Sequence, residues 1–271
     1  MSLINISEAK LKVFELRSFA LHILSATTLE EKLISPDILT DEHPGDPLLF
    51  EQPTRPSHMQ FQRHSKDEKL PTFKDHHDKD LRAICLHRFC GHELLAVEMM
   101  AYALLAFPDA PKAFRKGIAH TLMEEQEHVR LYRSRLHAMG LEFGDLPLYK
   151  HFWKHVPYLT SPATYLSALS LTFEMANLDF APLYRDSFNR HGDLESGALM
   201  QRIVDDEIGH VAFGIGWLNK MNTEKKDPFA FYLESLPPLL TARRAKGFVY
   251  QTELREKARV PKDWIEQLKN F

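Results

Sequence analysis

Apolar residues recur at three- and four-residue steps through most of the chain, and this spacing predicts amphipathic helices. A proline in the first turn and a glycine just past the last turn mark where such helices begin and end. Four long helices are expected on this basis, at about 80–107, 111–139, 162–190 and 194–221. The pattern predicts an all-α fold in which short connections make neighbouring helices antiparallel.

The chain before the first long helix is expected to add two shorter helices and a connector. The helices are predicted at about 7–26 and 29–34. The apolar side of the first consists of Leu11, Val13, Phe14, Leu16, Ala20, Leu21, Ile23 and Leu24. Residues 35–79 contain many prolines and charges, which predicts an extended connector that wraps over the long helices. Packing is its expected role.

The chain after the fourth long helix is predicted to form a helical extension, 222–271. One helix is expected from Asp227 to about Leu240, with a bend at Pro237 and Pro238 as an alternative to a straight helix. Within the third long helix, Pro182 predicts a kink or break. Basic residues are frequent near the C-terminus: Arg243, Arg244, Lys246, Arg255, Lys257, Arg259 and Lys262. Two interpretations stay open for them, a solvated face beside acidic neighbours or a patch that binds an anion or a partner.

The composition fits one soluble domain over 1–271. With 271 residues and 44% hydrophobic content, the chain can bury a full-sized core. The formal net charge is −3, so the chain has no overall excess of positive charge that would attract nucleic acid or an anionic membrane surface. The longest apolar run, 99–107, is too short to span a bilayer. We therefore expect neither a membrane nor a nucleic-acid partner.

Cysteine usage and the start of the chain indicate a cytoplasmic protein. Cys85 and Cys90 are the only cysteines, and five residues apart on one helix they point in different directions. A disulfide is not expected, which fits a reducing compartment. Glu8 and Glu15 interrupt the early apolar positions, so no signal peptide is predicted.

Two Glu-x-x-His pairs lie at the middle of the second and fourth predicted helices, Glu125 with His128 and Glu207 with His210. Residues three apart share one side of a helix, so the members of each pair point the same way. The alternative is that both pairs face solvent. Apolar residues flank both pairs and argue against it, because an unpaired carboxylate on an apolar face would be costly.

A single glutamate lies near the middle of each of the other two long helices. Glu93 precedes Glu125 by 32 residues, and Glu174 precedes Glu207 by 33. Four antiparallel helices of similar length would bring these residues and the two histidines to one level, as in the dimetal site of a ferritin-like four-helix bundle. Four glutamates and two histidines suit hard or borderline divalent metals and do not suit a structural zinc.

Other titratable residues could compete for these roles. Glu98 lies about 140° round the helix from Glu93, so both cannot bind metal at one level, and the mid-helix position favours Glu93. Three histidines, His87, His92 and His120, are expected to lie around the metal ligands or at the protein surface rather than to bind metal themselves.

The acidic residue directly before each Glu-x-x-His pair has a predicted partner. It is turned about 100° from the ligand beside it, toward a neighbouring helix. A metal-bound histidine usually donates its other ring N–H to an acceptor outside the ligand shell. Asp206 is therefore expected to accept from His128, and Glu124 from His210. The alternative is that both are surface acids.

Several segments resemble one family of bacterial proteins. The similar segments are 28–33, 53–56, 92–98, 125–128, 173–179 and 206–211. They resemble an uncharacterised ferritin-like family, catalogued as a domain of unknown function, whose members are expected to be di-iron carboxylate proteins. The resemblance covers most of the chain and identifies no reaction. One departure is Gly91, since that family often has histidine two residues before the first ligand glutamate.

The expected cofactor is a pair of iron ions, with manganese or a mixed pair as alternatives. Glu125 and Glu207 would bridge the ions, His128 and His210 would each bind one, and the two single glutamates would complete the site. The expected function is oxidation or hydroxylation of a small organic substrate with O₂, with electrons from an external donor. Iron oxidation or storage, and a metal-stabilised structural or interaction protein, are alternatives. No oligomeric state is predicted.

Overall fold

The computed structural model describes residues 12–62 and 69–271, and most of these residues are helical. The α-helices are α1 (Leu16–Ser25), α2 (Leu29–Lys32), α3 (Lys79–Ala106), α4 (Lys112–Met139), α5 (Pro162–Ala168), α6 (Met175–Arg190), α7 (Leu194–Met221), α8 (Pro228–Glu234), α9 (Thr252–Lys257) and α10 (Lys262–Asn270). Leu169–Glu174, between α5 and α6, is π-helical. Two short strands, β1 (Val13–Glu15) and β2 (Ile38–Thr40), pair in parallel. The predicted all-α class is confirmed at the level of helix content.

The long helical segments begin and end within about one residue of their predicted limits, because local capping fixes the ends. The Asp193 side chain accepts the Ser196 N–H at the start of α7. Ser161 caps α5 in the same way by accepting the Thr164 N–H. Gly140 ends α4 with φ of 87°, a left-handed conformation that favours glycine.

Packing between the long segments forms the core. α3 packs against α4, α6 packs against α7, and α4 also contacts α7. Leu94 and Val97 on α3, Leu122 and Val129 on α4, and Ile203 on α7 are buried members of one contiguous apolar cluster. Burying a side chain of this size stabilises the fold by about 1.5–3 kcal/mol. The middle of the long segments is therefore dry, and the predicted ligand residues lie there.

α3 is buried along nearly its whole length. Length and composition alone would allow it to cross a membrane, since its most apolar window has a mean hydropathy of 1.3. However, 89% of that window is buried inside the protein, and α1 covers part of the helix. The core helix of a soluble protein has the same properties. The structure is thus compatible with a soluble protein, and the cytoplasmic location stays a prediction.

The N-terminal helix begins later than predicted. Residues 13–15, expected to be helical, form β1, because the Glu15 carboxylate accepts the Thr40 hydroxyl and two backbone N–H groups just after β2. As a result Val13 is 56% exposed instead of lying on the buried side. Leu21, expected on that side too, is 38% exposed. The predicted stretch 7–11 lies outside the described residues.

The described part of the connector lies against α1 and α3. Backbone N–H groups of Leu48 and Thr54 donate to carbonyls of α3 and α1. The Arg55 guanidinium donates to both carboxylate oxygens of Glu98 on α3, at 3.1 and 2.5 Å. Lys32 Nζ lies 3.2 Å from the same carboxylate. This buried ion cluster joins the connector, α2 and α3.

Of the kink or break predicted at Pro182, the break does not occur. α6 continues through this residue to Arg190. The packing of α6 along α7 compensates for the one backbone hydrogen bond that proline cannot make. The irregular stretch lies upstream instead, at Leu169–Glu174, and it includes a predicted ligand.

The C-terminal extension differs from its prediction in two respects. α8 ends at Glu234 rather than near Leu240, because Pro237 disfavours helical geometry in the residue before it. Arg255 on α9 is fully buried, and its guanidinium donates to both carboxylate oxygens of Asp179 on α6, at 2.6 and 2.8 Å. The interpretation as a solvated face is wrong for Arg255, which anchors the extension on α6.

Candidate metal centre

Six buried side chains from the four long segments meet in the middle of the core: Glu93, Glu125, His128, Glu174, Glu207 and His210. Ligand-type atoms within 4.8 Å of one another define two groups. The first contains Glu93, Glu125 and His128. The second contains Glu125, Glu174 and His210. Glu125 belongs to both groups, so it lies between two potential metal positions.

Both histidines turn the same ring atom toward Glu125. His128 Nδ1 lies 3.1 Å from Glu125 Oε2, and His210 Nδ1 lies 3.1 Å from Glu125 Oε1. Glu207 Oε2 is also near His210 Nδ1, at 3.5 Å. The ring centroids of the two histidines are 5.9 Å apart. Glu207 therefore lies on the His210 side of the centre.

The other ring nitrogen of each histidine contacts the neighbouring helix at the predicted residue. His128 Nε2 lies 3.0 Å from Asp206 Oδ2, and His210 Nε2 lies 3.1 Å from Glu124 Oε2. Asp206 also accepts from Arg202 at 2.6 Å. If each Nε2 carries the proton, each Nδ1 presents its lone pair to the carboxylate cluster.

The structure separates the two competing glutamates of α3. The Glu98 carboxylate is occupied by Arg55 and Lys32, as described above, and lies away from the cluster. Glu93 is in the first ligand group, next to Glu125. The fold therefore places Glu93 in the carboxylate and histidine cluster and keeps Glu98 out of it.

The three histidines considered above as competitors lie outside the ligand groups. His87 Nε2 accepts the Gly144 N–H at 3.0 Å. The His92 ring packs on Phe152 with centroids 5.1 Å apart. The His120 side chain is 73% exposed. Gly91, where the resembling family often has histidine, is close enough to Leu148 that an added Cβ would lie 3.1 Å from the leucine side chain.

Glu174 and Glu207 have carboxylate oxygens without a hydrogen-bond partner. Within residues 12–62 and 69–271, this holds for both oxygens of Glu174 and for Oε2 of Glu207. Glu174 ends the π-helical segment, a geometry that often occurs at functional sites. Asn177 donates to Glu207 Oε1 at 2.8 Å. Sequence reasoning missed Asn177, although it follows Glu174 at the same three-residue spacing as the Glu-x-x-His pairs.

Burial and mutual repulsion raise the pKa values of three of the carboxyl groups. Burial, reinforced by the charge of Glu125, raises the pKa of Glu93 well above its usual value. Burial and the nearby Glu207 raise the pKa of Glu174 to about 8. The pKa of Glu207 is raised mainly by burial as well. Without added positive charge, ionisation is therefore disfavoured at these three positions relative to a carboxyl group in water.

Glu125 and the histidines behave in the opposite way. Burial opposes ionisation of Glu125, but attraction to His128 and His210 outweighs it and lowers the pKa of Glu125. Burial alone would lower the pKa of His128, yet Glu125 and Asp206 raise it to about 9. A central carboxylate is thus stabilised by positive charge from both sides, and divalent cations could supply that charge in place of ring protons.

A cavity of about 920 Å³ lies over α3 and α6 and leads toward the cluster. A second, narrower cavity has Glu93 in its wall. The two cavities share part of their lining: Phe89, His92, Asn177, Phe180 and Tyr184. None of the six cluster residues lines the larger cavity, but its lining residue Asn177 donates to Glu207, and His92 directly precedes Glu93 in the chain.

Comparisons with known proteins identify the family. No solved structure matches the chain. A Haemophilus influenzae protein named "Uncharacterized protein" is 25% identical over 114 residues, which are 42% of this chain and 40% of that protein. The chain thus aligns with less than half of this relative's length. A model described as "Protein of unknown function (DUF455)" matches residues 6–266, and the chain therefore belongs to that family.

Proposed function

We propose that this protein holds two iron ions in a ferritin-like four-helix bundle and uses them with O₂ to oxidise or hydroxylate a small organic substrate. The main observation in favour is a cluster of six buried side chains, in which Glu93, His128, Glu174, Glu207 and His210 lie around Glu125. The long link between α4 and α5, with short links on either side, is also expected of a one-crossover ferritin-like topology.

The residues fit a pair of divalent cations better than they fit a hydrogen-bonded cluster. Four carboxylates in a dry core require compensating positive charge. Both oxygens of Glu174 and Oε2 of Glu207 have no hydrogen-bond partner among the described residues, which leaves their lone pairs available to a cation. A donor set of mostly oxygen with one nitrogen for each ion suits iron or manganese.

Each residue has a distinct role in this proposal. Glu125, present in both ligand groups, would bridge the ions. Glu93 and His128 would bind on one side, and Glu174 and His210 on the other. Glu207, which the sequence analysis expected to be a second bridge, lies on the His210 side and would bind at the second position through Oε2, while the Asn177 amide holds its Oε1.

The surrounding residues orient the ligands and exclude water. Asp206 and Glu124 would hold protons on the Nε2 atoms, which leaves the Nδ1 lone pairs directed inward. Buried Tyr132 and Leu122 belong to the apolar cluster around the centre and keep it dry. The chemistry that bound iron would supply is two-electron reduction of O₂, with electrons replenished by an external donor.

The proposal is tested by iron stoichiometry and O₂ consumption on the same preparation. We expect about two irons for each chain and stoichiometric O₂ uptake when the ferrous protein meets air, with iron-dependent near-ultraviolet absorption. Many more than two irons would indicate storage. Two irons without any reaction with O₂ would indicate a structural role. Either result would overturn the proposal.

A further inference from the structure

The cavity over α3 and α6 has a cationic outer end. Exposed basic side chains line it at Lys69, Lys150, Lys154 and Arg244. Among residues 12–62 and 69–271, no aspartate or glutamate belongs to its lining. The whole chain has a formal net charge of −3, so this positive charge is local to the cavity. A concave, single-sign surface of this kind concentrates ligands of opposite charge.

The inner end of the same cavity is aromatic and close to the candidate metal centre. Phe89, Phe180 and Tyr184 line both this cavity and the narrow one beside Glu93. Phe89 and Tyr184 pack edge to face, with ring centroids 4.6 Å apart. Polarity therefore changes along the cavity, from basic at the exposed end to mainly aromatic, with His92 and Asn177, at the end shared with the narrow cavity beside Glu93.

Several contacts hold the basic end in place. Arg244 Nη2 lies 2.8 Å from His151 Nε2, so the guanidinium donates to a neutral imidazole. Burial, reinforced by the nearby His92, lowers the pKa of His151 to about 2, which is consistent with that neutral ring. At the cavity edge the Gln62 N–H donates to the Leu148 carbonyl at 2.8 Å and ties the connector to the link before α5.

We infer that this cavity is the substrate site and that the substrate is an amphipathic organic anion. Its carboxylate or phosphate group would lie among Lys150, Lys154 and Arg244, and its apolar body would extend toward Glu93. A volume of about 920 Å³ is within the usual range for small-molecule sites. The inference rests on the proposed function, because it places the part of the substrate to be oxidised at the metal centre.

The test compares ligands that differ only in their head group. Isothermal titration calorimetry of the metal-free protein would measure the Kd values of 2-naphthoate, 2-naphthyl phosphate and the neutral 2-naphthamide. At least one anion should bind about tenfold more tightly than the amide, and its affinity should fall with added NaCl while that of the amide stays constant. The tighter anion identifies the head group.

Charge-removing variants locate the binding. Lys150→Gln, Lys154→Gln and Arg244→Gln should each weaken anion binding by about two- to fivefold, and the triple variant should lose most of the preference over the amide. Lys257→Gln, at an exposed position of α9 outside the cavity lining, is the matched control and should keep it. Circular dichroism would verify that every variant is folded.

The outcomes separate this inference from the proposed function. If the protein binds two irons but prefers neither anion, or if the triple variant keeps the preference, the substrate inference is wrong and the metal proposal stands. If the protein prefers an anion in the cavity but binds no metal, the binding site is supported and the proposed chemistry fails.

Discussion

Glu125 is shared between the two ligand groups, whereas Glu93 and Glu174 each belong to one. If two ions bind as proposed, Glu125→Ala should remove most metal from both positions, because a bridging carboxylate serves both ions. Glu93→Ala or Glu174→Ala should leave about one metal for each chain. Elemental analysis after dialysis measures the stoichiometry.

The matched control for these variants is Glu127→Ala. Glu127 lies on the same helix as Glu125, but its side chain is 50% exposed and pairs with Arg130. This variant should keep about two metals for each chain. Full occupancy in Glu125→Ala would contradict the assignment of the bridging residue.

The contact between Asp206 and His128 predicts a second residue-scale effect. Asp206→Ala removes the acceptor of the His128 N–H and should weaken metal binding by about 10- to 100-fold. Asp205→Ala is the control, since the Asp205 side chain is exposed and bonds only to Gln201 within the described residues. Metal-buffered competition titrations give the affinities. Equal weakening in both variants would contradict an orienting role.

Arg202 provides a further check because it also donates to Asp206. If Asp206 acts through His128, Arg202→Ala should change the affinity for metal much less than Asp206→Ala does. A loss as large as that of Asp206→Ala would mean that the whole ion pair, and not the histidine contact, supports the site.

The clustering of these side chains could be predicted because their pattern is local. A three-residue spacing fixes the side of a helix, and nearly equal intervals fix the level. The ion pair between Glu98 and Arg55 could not be predicted in this way, because the two residues are 43 positions apart along the chain. The contact of Asn177 with Glu207 could be predicted only in part. The three-residue spacing from Glu174 places Asn177 on the same side of the helix, but an asparagine amide does not by itself indicate a metal site.

The same reasoning holds for whole elements. Limits of the long helices were predicted within about one residue because caps such as Asp193 act over three positions. β1 was missed because it depends on pairing with β2, about 25 residues later. The π-helical segment Leu169–Glu174 was missed because it packs against α7, a contact that periodicity within one helix does not reveal.

The ion cluster that joins α2, α3 and the connector predicts an effect on stability. Glu98→Ala would leave Lys32 and Arg55 buried without their counter-charge. We expect a loss of about 3–5 kcal/mol in the free energy of unfolding, measured by urea denaturation of the metal-loaded protein. Metal content should remain at about two ions for each chain, unlike that of Glu93→Ala.

Glu30→Ala is the control for this element-scale prediction. Glu30 pairs with Arg133 at the surface, with its side chain 70% exposed, so its removal should change stability little. A Glu98→Ala variant that keeps its stability but loses metal would show that Glu98 is a ligand and that the choice of Glu93 is wrong.

At the scale of the whole molecule, the cavity is the feature that could not be predicted from the sequence. Its lining comes from the connector, α3, the link before α5, α6 and the C-terminal extension. The sequence did suggest that the basic C-terminal stretch could bind an anion, and Arg244 from that stretch lines the cavity. Which basic residues face a shared space depends on how separate segments pack, and local patterns do not contain that information.

The buried cluster also predicts how the stability of the whole metal-free protein depends on pH. The folded-state pKa values of Glu174, about 8, and His128, about 9, lie above their ordinary values of 4.5 and 6.5. Between pH 7 and 9 the folded protein therefore binds more protons than the unfolded chain. Each excess proton lowers the free energy of unfolding by about 1.4 kcal/mol per pH unit.

Between pH 7 and pH 9, buried histidines elsewhere in the protein do not change the pH dependence of stability. Burial lowers the pKa values of His87 and His92 to about 4, and their contribution to stability is complete once the unfolded histidines have lost their protons, above about pH 7. Urea denaturation of the metal-free protein should consequently show falling stability from pH 7 to pH 9. Glu174→Gln should have a shallower dependence, because a neutral amide replaces one of the titrating groups.

Metal should reverse the trend, because a bound cation replaces the protons that the cluster otherwise needs. For protein loaded with Mn²⁺, which avoids oxidation during the experiment, stability should stay constant or rise from pH 7 to pH 9. The difference in unfolding free energy between loaded and metal-free protein should thus widen with pH. Parallel curves for the two forms would mean that the ions bind away from Glu174 and His128, and the assignment of the centre would be wrong.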